Sequence, residues 1–169
     1  MFDLMLFTDG SVDTKTCIGF GAYLAISESE LPLANLKAKL KVKQFVNTSS
    51  TKLELQTLLW AMDDALLLNS PRMIHVAIYC DSQNIVGLPA RRSGFEQRDY
   101  FASNGKRLNN AELYQQFFRA IDQLNCQIIK VEGHKPQYSK NDIDRVFSLV
   151  DKASRFALRQ FNYQISSYE

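Results

Sequence analysis

The chain has 169 residues, 46% hydrophobic and 22% charged, enough to bury one ordinary core, and no Pro/Gly/Ser-rich linker divides it, so a single domain over residues 1–169 is expected. Its seven glycines, four prolines and 11% aromatic content exclude collagen-like, low-complexity and disordered chains. No apolar run approaches the ~20 residues of a membrane span, and a formal net charge of +2 leaves any nucleic-acid binding to local clusters of charge.

The first residues carry no basic segment, and Asp9 interrupts the first apolar stretch, which argues against a signal peptide. Cys17, Cys80 and Cys126 are scattered, beside apolar runs and without a C-x-x-C pair. They read as small hydrophobes rather than a zinc site or disulfide framework, in a reducing, cytoplasmic setting.

In chain order, Phe2 to Thr8 reads as a strand apolar on both faces, followed by a turn signal at Asp9-Gly10-Ser11. Ile18 to Ile26 reads as its antiparallel partner, with Gly19 and Gly21 permitting close backbone approach. Leu36 to Val46 alternates, with lysines on one face and Ala38, Leu40 and Val42 on the other, as in a half-buried strand. A helix is predicted from Thr51, capped by Ser49 or Ser50, with Leu55, Leu58, Leu59, Met62, Ala65 and Leu66 as its apolar stripe and Asn69-Ser70-Pro71 as its end. Ile74 to Cys80 is a buried-type strand, with a helical turn following through Val86. Asn109 to Glu112 has capping-box spacing and opens a helix with Leu113, Phe117, Ile121 and Leu124 inward. Gln127 to Val131 is a further strand. After a polar loop from Gly133 to about Asn141, the last helix places Ile143, Phe147, Val150, Ala157 and Phe161 inward. The order implies a mixed α/β sheet, an antiparallel meander enlarged through helical crossovers.

Four carboxylates stand out. Asp9 and Asp81 each follow an apolar strand, and if those strands are parallel neighbours both leave at the same edge, where open α/β sheets place ligand sites. Glu54 lies one turn into an apolar helix, and Asp151 lies beside the buried stripe of the last one. Each alone is ordinary: an Asp before Gly makes turns, and a Glu opening a helix serves its dipole. Gathered together they need a positive partner, and hard oxygen donors suit Mg²⁺ or Mn²⁺.

The runs Phe7-Thr8-Asp9-Gly10-Ser11, Lys52-Leu53-Glu54-Leu55, Cys80-Asp81-Ser82-Gln83, Val131-Glu132-Gly133-His134 and Val150-Asp151-Lys152-Ala153-Ser154-Arg155 together resemble type 1 ribonuclease H, in the same order and over nearly the whole chain. The resemblance implies a ribonuclease H-like fold: a five-stranded mixed sheet flanked by helices, its first three strands antiparallel and the later ones parallel. It also implies hydrolysis of the RNA strand of RNA–DNA hybrids, leaving 5′-phosphate and 3′-hydroxyl ends. Asp9, Glu54, Asp81 and Asp151 would hold two Mg²⁺ ions, with Mn²⁺ as substitute. His134 would assist proton transfer or product release, while His75, inside a strand, reads as structural. Gly10, Ser11 and Gln83 would touch the hybrid. So would Ser50 and Thr51, which stand where the family usually has Asn.

Other departures bear on the site. The Asn-Pro-Gly segment that often follows Asp-Gly-Ser is replaced by Val12 to Thr16, and His134 lies farther from Asp151 than usual, which makes Asp144 a competitor for the fourth carboxylate. In the segment from Ala90 to Asn109, Arg91, Arg92, Arg98, Lys106 and Arg107 outnumber Glu96 and Asp99. It stands in the place of the family's basic protrusion, to grip DNA phosphates or to form a flexible charged loop. The expected protein is a cytoplasmic monomer without membrane association or a preceding hybrid-binding domain. The competing readings are an inactive or weak hybrid-binding module of this fold, a DNA-processing nuclease of the superfamily, and an actin-like phosphotransferase, for which the chain is short.

Overall fold

One five-stranded mixed sheet organises the computed structural model, which describes residues 2–31, 35–69, 74–132 and 136–167. The strands are β1 (Leu4–Asp13), β2 (Ile18–Ile26), β3 (Lys41–Phe45), β4 (His75–Cys80) and β5 (Asn125–Lys130), in spatial order β3-β2-β1-β4-β5. β1 pairs antiparallel with β2, and β2 with β3, whereas β4 and β5 add in parallel. The helices are α1 (Ser50–Asn69), α2 (Gln83–Val86), α3 (Leu88–Gln97), α4 (Ala111–Gln123) and α5 (Asp142–Ser166). Among the described residues no helix is long and apolar enough to cross a membrane.

Alternation along β1 sends its residues to two cores. Leu6 joins Leu55, Leu58, Met62, Ile78 and Phe117 under α1 and α4. Met5 and Phe7 join Ala77, Val146, Phe147 and Val150 under α5. Both faces are therefore covered, as the apolar character of β1 and β4 requires. α1 sits close to β1 and β2: a Cβ on Gly21 would stand 2.1 Å from Thr57 Oγ1, and one on Gly10 would stand 2.9 Å from Leu53.

Four sequence expectations are corrected. β1 does not turn at Asp9-Gly10-Ser11 but stays paired to β2 as far as Asp13 against Ile18, and the turn falls at residues 14–17. Cys17 lies there, exposed and with φ of 55°, so it is not a packed hydrophobe; Cys80 is buried, and burial pushes its thiol up to about 12. Leu36 to Val46 divides into a 3₁₀ turn, Leu36–Lys39, and the short β3. On this edge strand the lysines turn toward α1: Lys41 pairs with Asp64 at 2.8 Å, and Lys43 lies 5.5 Å from the Trp60 ring, while Val42 is exposed. The capping box before α4 does not form; the helix starts at Ala111 and buries Tyr114, Phe117, Phe118 and Ala120.

The segment from Ala90 to Asn109 is helical as far as Gln97 and continues as turns closed by a bridge between Phe101 and Arg107, rather than as a flexible loop. Arg92 grips Asp122 with two nitrogens, at 2.6 and 2.8 Å, and bonds Glu96 at 2.8 Å, clamping α3 to α4. Arg91 donates to Asn84 Oδ1 at 2.7 Å. Two of its five cations are thus committed within the protein. The predicted end of α1 at Ser70-Pro71 and the loop start at Gly133 lie outside the described residues.

Candidate active site

The parallel ladder between β1 and β4 ends with Phe7 opposite Tyr79. Continued by two residues, that register sets Asp9 level with Asp81, on the α5 side of the sheet where Phe7 and Tyr79 already lie. β4 stops there while β1 continues, so the two carboxylates emerge where the sheet loses a strand. α1 delivers the third acid. Leu53 packs against Gly10, and the next residue, Glu54, reaches over the sheet's end into a small cleft that Asp9 and Asp81 also line.

α5 delivers the fourth. It runs along β1, and Ser154 on its buried side meets Ser11, Oγ to Oγ, at 3.1 Å. Asp151, one turn earlier, comes within hydrogen-bonding reach of the Asp9 carboxyl. Asp144 does different work, closing the first turn of α5: its carboxylate accepts from Asn141 N at 3.1 Å, while Asn141 Oδ1 accepts from Asp144 N at 2.8 Å. Asp144 does line the neighbouring cleft with Asp81, Glu132 and Asp151, yet it is Asp151 that meets Asp9.

The electrostatics follow from this crowding. Burial, then the charge of Asp81, then the charge and contact of Asp151 push the Asp9 carboxyl up to about 8, against a backbone hydrogen bond at Gly10 that pulls it down. Burial also raises Glu54, opposed by the Ser82 hydroxyl, which donates to Glu54 Oε2 at 2.5 Å, and by Ser50. Arg155 holds Asp151 through Nε at 2.7 Å.

Among the described residues no three His, Cys, Asp or Glu side chains form a set ready to hold a metal ion. The donor chemistry nevertheless fits a hard dication. Burial first, and then the neighbouring carboxylates, hold the Asp9 carboxyl up at about 8, and a cation is what relieves such a cluster.

Of the residues expected to touch substrate, Gly10 lies in β1 and Ser11 is bonded to Ser154. Ser50 serves Glu54, and Gln83 Oε1 accepts from Lys130 Nζ at 2.7 Å. Thr51 lies in the first turn of α1, half-buried. His134 lies outside the described residues. His75 opens β4, its N donating to Asp3 Oδ2 at 2.9 Å and its ring 4.6 Å from that of Phe2, as a structural residue would.

The sequence reading missed Ser82, Ser154 and Arg155 as supports of the acids. Only Ser82 carried a signal, a serine directly before a predicted helical turn; it caps α2 by accepting from Ile85 N at 3.4 Å.

Comparison with known proteins identifies the family and the fold. The sequence matches the RNase H family over residues 2–151. No curated protein sequence matches significantly. Among solved structures, the chain is similar to the PFV RNase H domain, with TM-score 0.71 and 16% identity over 91% of this chain and 93% of that one. It is also similar to LC11-RNase H1, solved in complex with an RNA/DNA hybrid, with TM-score 0.58 and 16% identity over 92% and 99% of the two chains. A foamy viral protease-reverse transcriptase, also solved with an RNA/DNA hybrid, gives TM-score 0.67 and 10% identity over 91% of this chain and 20% of that longer one. At these identities the likeness to solved structures is one of fold; with the family match over most of the sequence, the chain belongs to the RNase H family.

Proposed function

We propose that this protein is a metal-dependent endoribonuclease that hydrolyses the RNA strand of RNA–DNA hybrids, leaving 5′-phosphate and 3′-hydroxyl ends. The observation that carries this reading is the convergence of Asp9, Glu54 and Asp81 on one cleft, with Asp151 against Asp9. Two Mg²⁺ ions, or Mn²⁺ in their place, would supply an activated water and stabilise the departing 3′-oxygen. Asp9 and Asp81 would bind between the strands, Glu54 from α1 and Asp151 from α5. Ser82 orients Glu54 and opposes the upward push of burial on its carboxyl through its 2.5 Å hydrogen bond. Arg155 orients Asp151 through their 2.7 Å ion pair. His134 takes the expected role in proton transfer or product release, and Gln83 that of reading the hybrid. A cytoplasmic monomer acting without membrane association completes the proposal.

One observation favours a second reading, a hybrid-binding module of weak or no activity: the acids do not form a ready-made metal set among the described residues. One experiment separates the two. Labelled RNA–DNA hybrid, double-stranded RNA and double-stranded DNA are incubated with Mg²⁺ or with EDTA. Cutting confined to the hybrid and abolished by EDTA supports the nuclease. Hybrid retention without cutting supports the binding module, and equal cutting of DNA defeats both.

A further inference from the structure

We propose that a second site, on the flank of α5 turned away from the carboxylates, binds an oligophosphate chain. A cleft of about 600 Å³ opens there between α5 and the 3₁₀ turn Leu36–Lys39. Four cations line it, Lys37 from the turn and Lys140, Arg145 and Lys152 from around α5, with no carboxylate among the lining residues.

The placement follows from helical geometry. Asp144, Phe147, Asp151 and Arg155 line the acidic cleft, whereas Arg145, Leu149 and Lys152 line this one; the two stripes are offset by one residue, a rotation of roughly 100°. Ser148 and Lys140 border both clefts and are joined by a 2.7 Å hydrogen bond, a ridge between regions of opposite charge. Leu36, itself buried, pins the 3₁₀ turn so that Lys37 faces α5 across an apolar floor shared with Leu149. Asn35, held at φ of 67°, starts that turn.

Charge accounting points to an anion. Among the described residues Lys37 and Lys152 belong to none of the ion pairs found, and Arg145 pairs with the exposed Asp142 at 3.2 Å. Four like charges around one concavity repel one another, and a polyanion relieves that repulsion while releasing its own counterions. Arg145 to Lys152 spans about 10 Å along the helix, more than a single phosphate covers. The ligand class is therefore a chain of phosphates, either the backbone of a nucleic-acid strand or the free polyphosphate of a nucleotide.

The test is fluorescence anisotropy of a labelled single-stranded oligonucleotide in EDTA, with the full chain. It requires no turnover, so its outcome is independent of whether hybrids are hydrolysed. Lys37→Glu with Lys152→Glu is expected to weaken binding by about tenfold or more and to flatten its salt dependence. Arg119→Glu with Arg159→Glu, exposed on α4 and on the second half of α5 and outside the lining of the cleft, is expected to change it less than about threefold. Circular dichroism checks folding, and Lys37→Gln with Lys152→Gln should give a smaller loss in the same direction. Displacement of the oligonucleotide by tripolyphosphate assigns the site to free phosphate chains, and displacement by oligonucleotides alone assigns it to a strand. Wild-type binding by the Lys37/Lys152 variants, or equal loss in both charge-reversed pairs, overturns the proposal.

Discussion

Ser11 and Ser154, 143 positions apart in sequence, are hydrogen-bonded hydroxyl to hydroxyl at 3.1 Å. Ser154 is fully buried and also donates to Asp151 O at 3.0 Å, so this contact sets the height of α5 against β1. Ser154→Ala is expected to cost about 1 kcal/mol of stability, the usual net value of such a bond. Ser11→Ala should cost a similar amount, and the double variant less than the sum. Urea unfolding of the four proteins measures this; strict additivity would show that the two hydroxyls act independently.

Asp9 predicts an unusual pH dependence in metal-free buffer. Its carboxyl titrates at about 8 in the folded chain against an ordinary value of 3.8. Between those values the native state binds more protons than the unfolded one, so stability falls as pH rises through the window. Asp9→Asn removes that slope and should stabilise the metal-free protein at pH 8 by about 1–3 kcal/mol while abolishing hybrid cleavage. Mg²⁺ should raise the wild-type melting temperature at pH 8 more than that of the variant. Melting curves from pH 5 to 9, with and without EDTA, would reject this if wild type and variant run parallel.

Asp144 and Asp151 separate into a stability role and a site role. Asp151→Asn is expected to fold normally and lose cleavage. Asp144→Ala removes half of the capping box and should cost about 0.5–2 kcal/mol while cleavage of hybrid persists. A dead but stable Asp144→Ala protein beside an active Asp151→Asn protein would reverse the assignment.

Removing the Ser82 hydroxyl takes away the donor that holds Glu54 down, against the burial that raises it. Ser82→Ala should therefore move the acidic limb of the pH–rate profile upward, because Glu54 then needs a higher pH to ionise. A profile displaced downward, or unmoved, would show that Ser82 does not tune Glu54.

Gly21 predicts a packing defect. A methyl group there meets Thr57 Oγ1 at 2.1 Å, so Gly21→Ala must push α1 outward. The expected cost is about 1–3 kcal/mol, partly recovered by Thr57→Ala in the same chain. Thermal unfolding of the single and double variants reads both effects.

Much of this arrangement was legible in the sequence because periodicity and motif agreed. The apolar stripe of α1 and the buried character of β4 gave the elements they implied. What was hidden depends on partners far along the chain. Asp9-Gly10-Ser11 looks like a turn locally, yet β2 offers a ladder up to Asp13, and tertiary pairing overrides turn propensity. The alternation from Leu36 to Val46 could not reveal that its first half would wind into a 3₁₀ turn anchored by Leu36, or that its lysines would face α1. The run Val150-Asp151-Lys152-Ala153-Ser154-Arg155 favoured Asp151 over Asp144, but it could not reveal that Asp151 meets Asp9 once α5 has docked.

The Ser11–Ser154 contact also has a bearing on biogenesis. A nascent polypeptide emerging from the ribosome presents Asp9, Glu54 and Asp81 long before α5 has been synthesised. The half-made protein thus lacks the segment that brings Asp151 into place. The proposed cleavage would therefore have to await the closing of this last helix on the first strand.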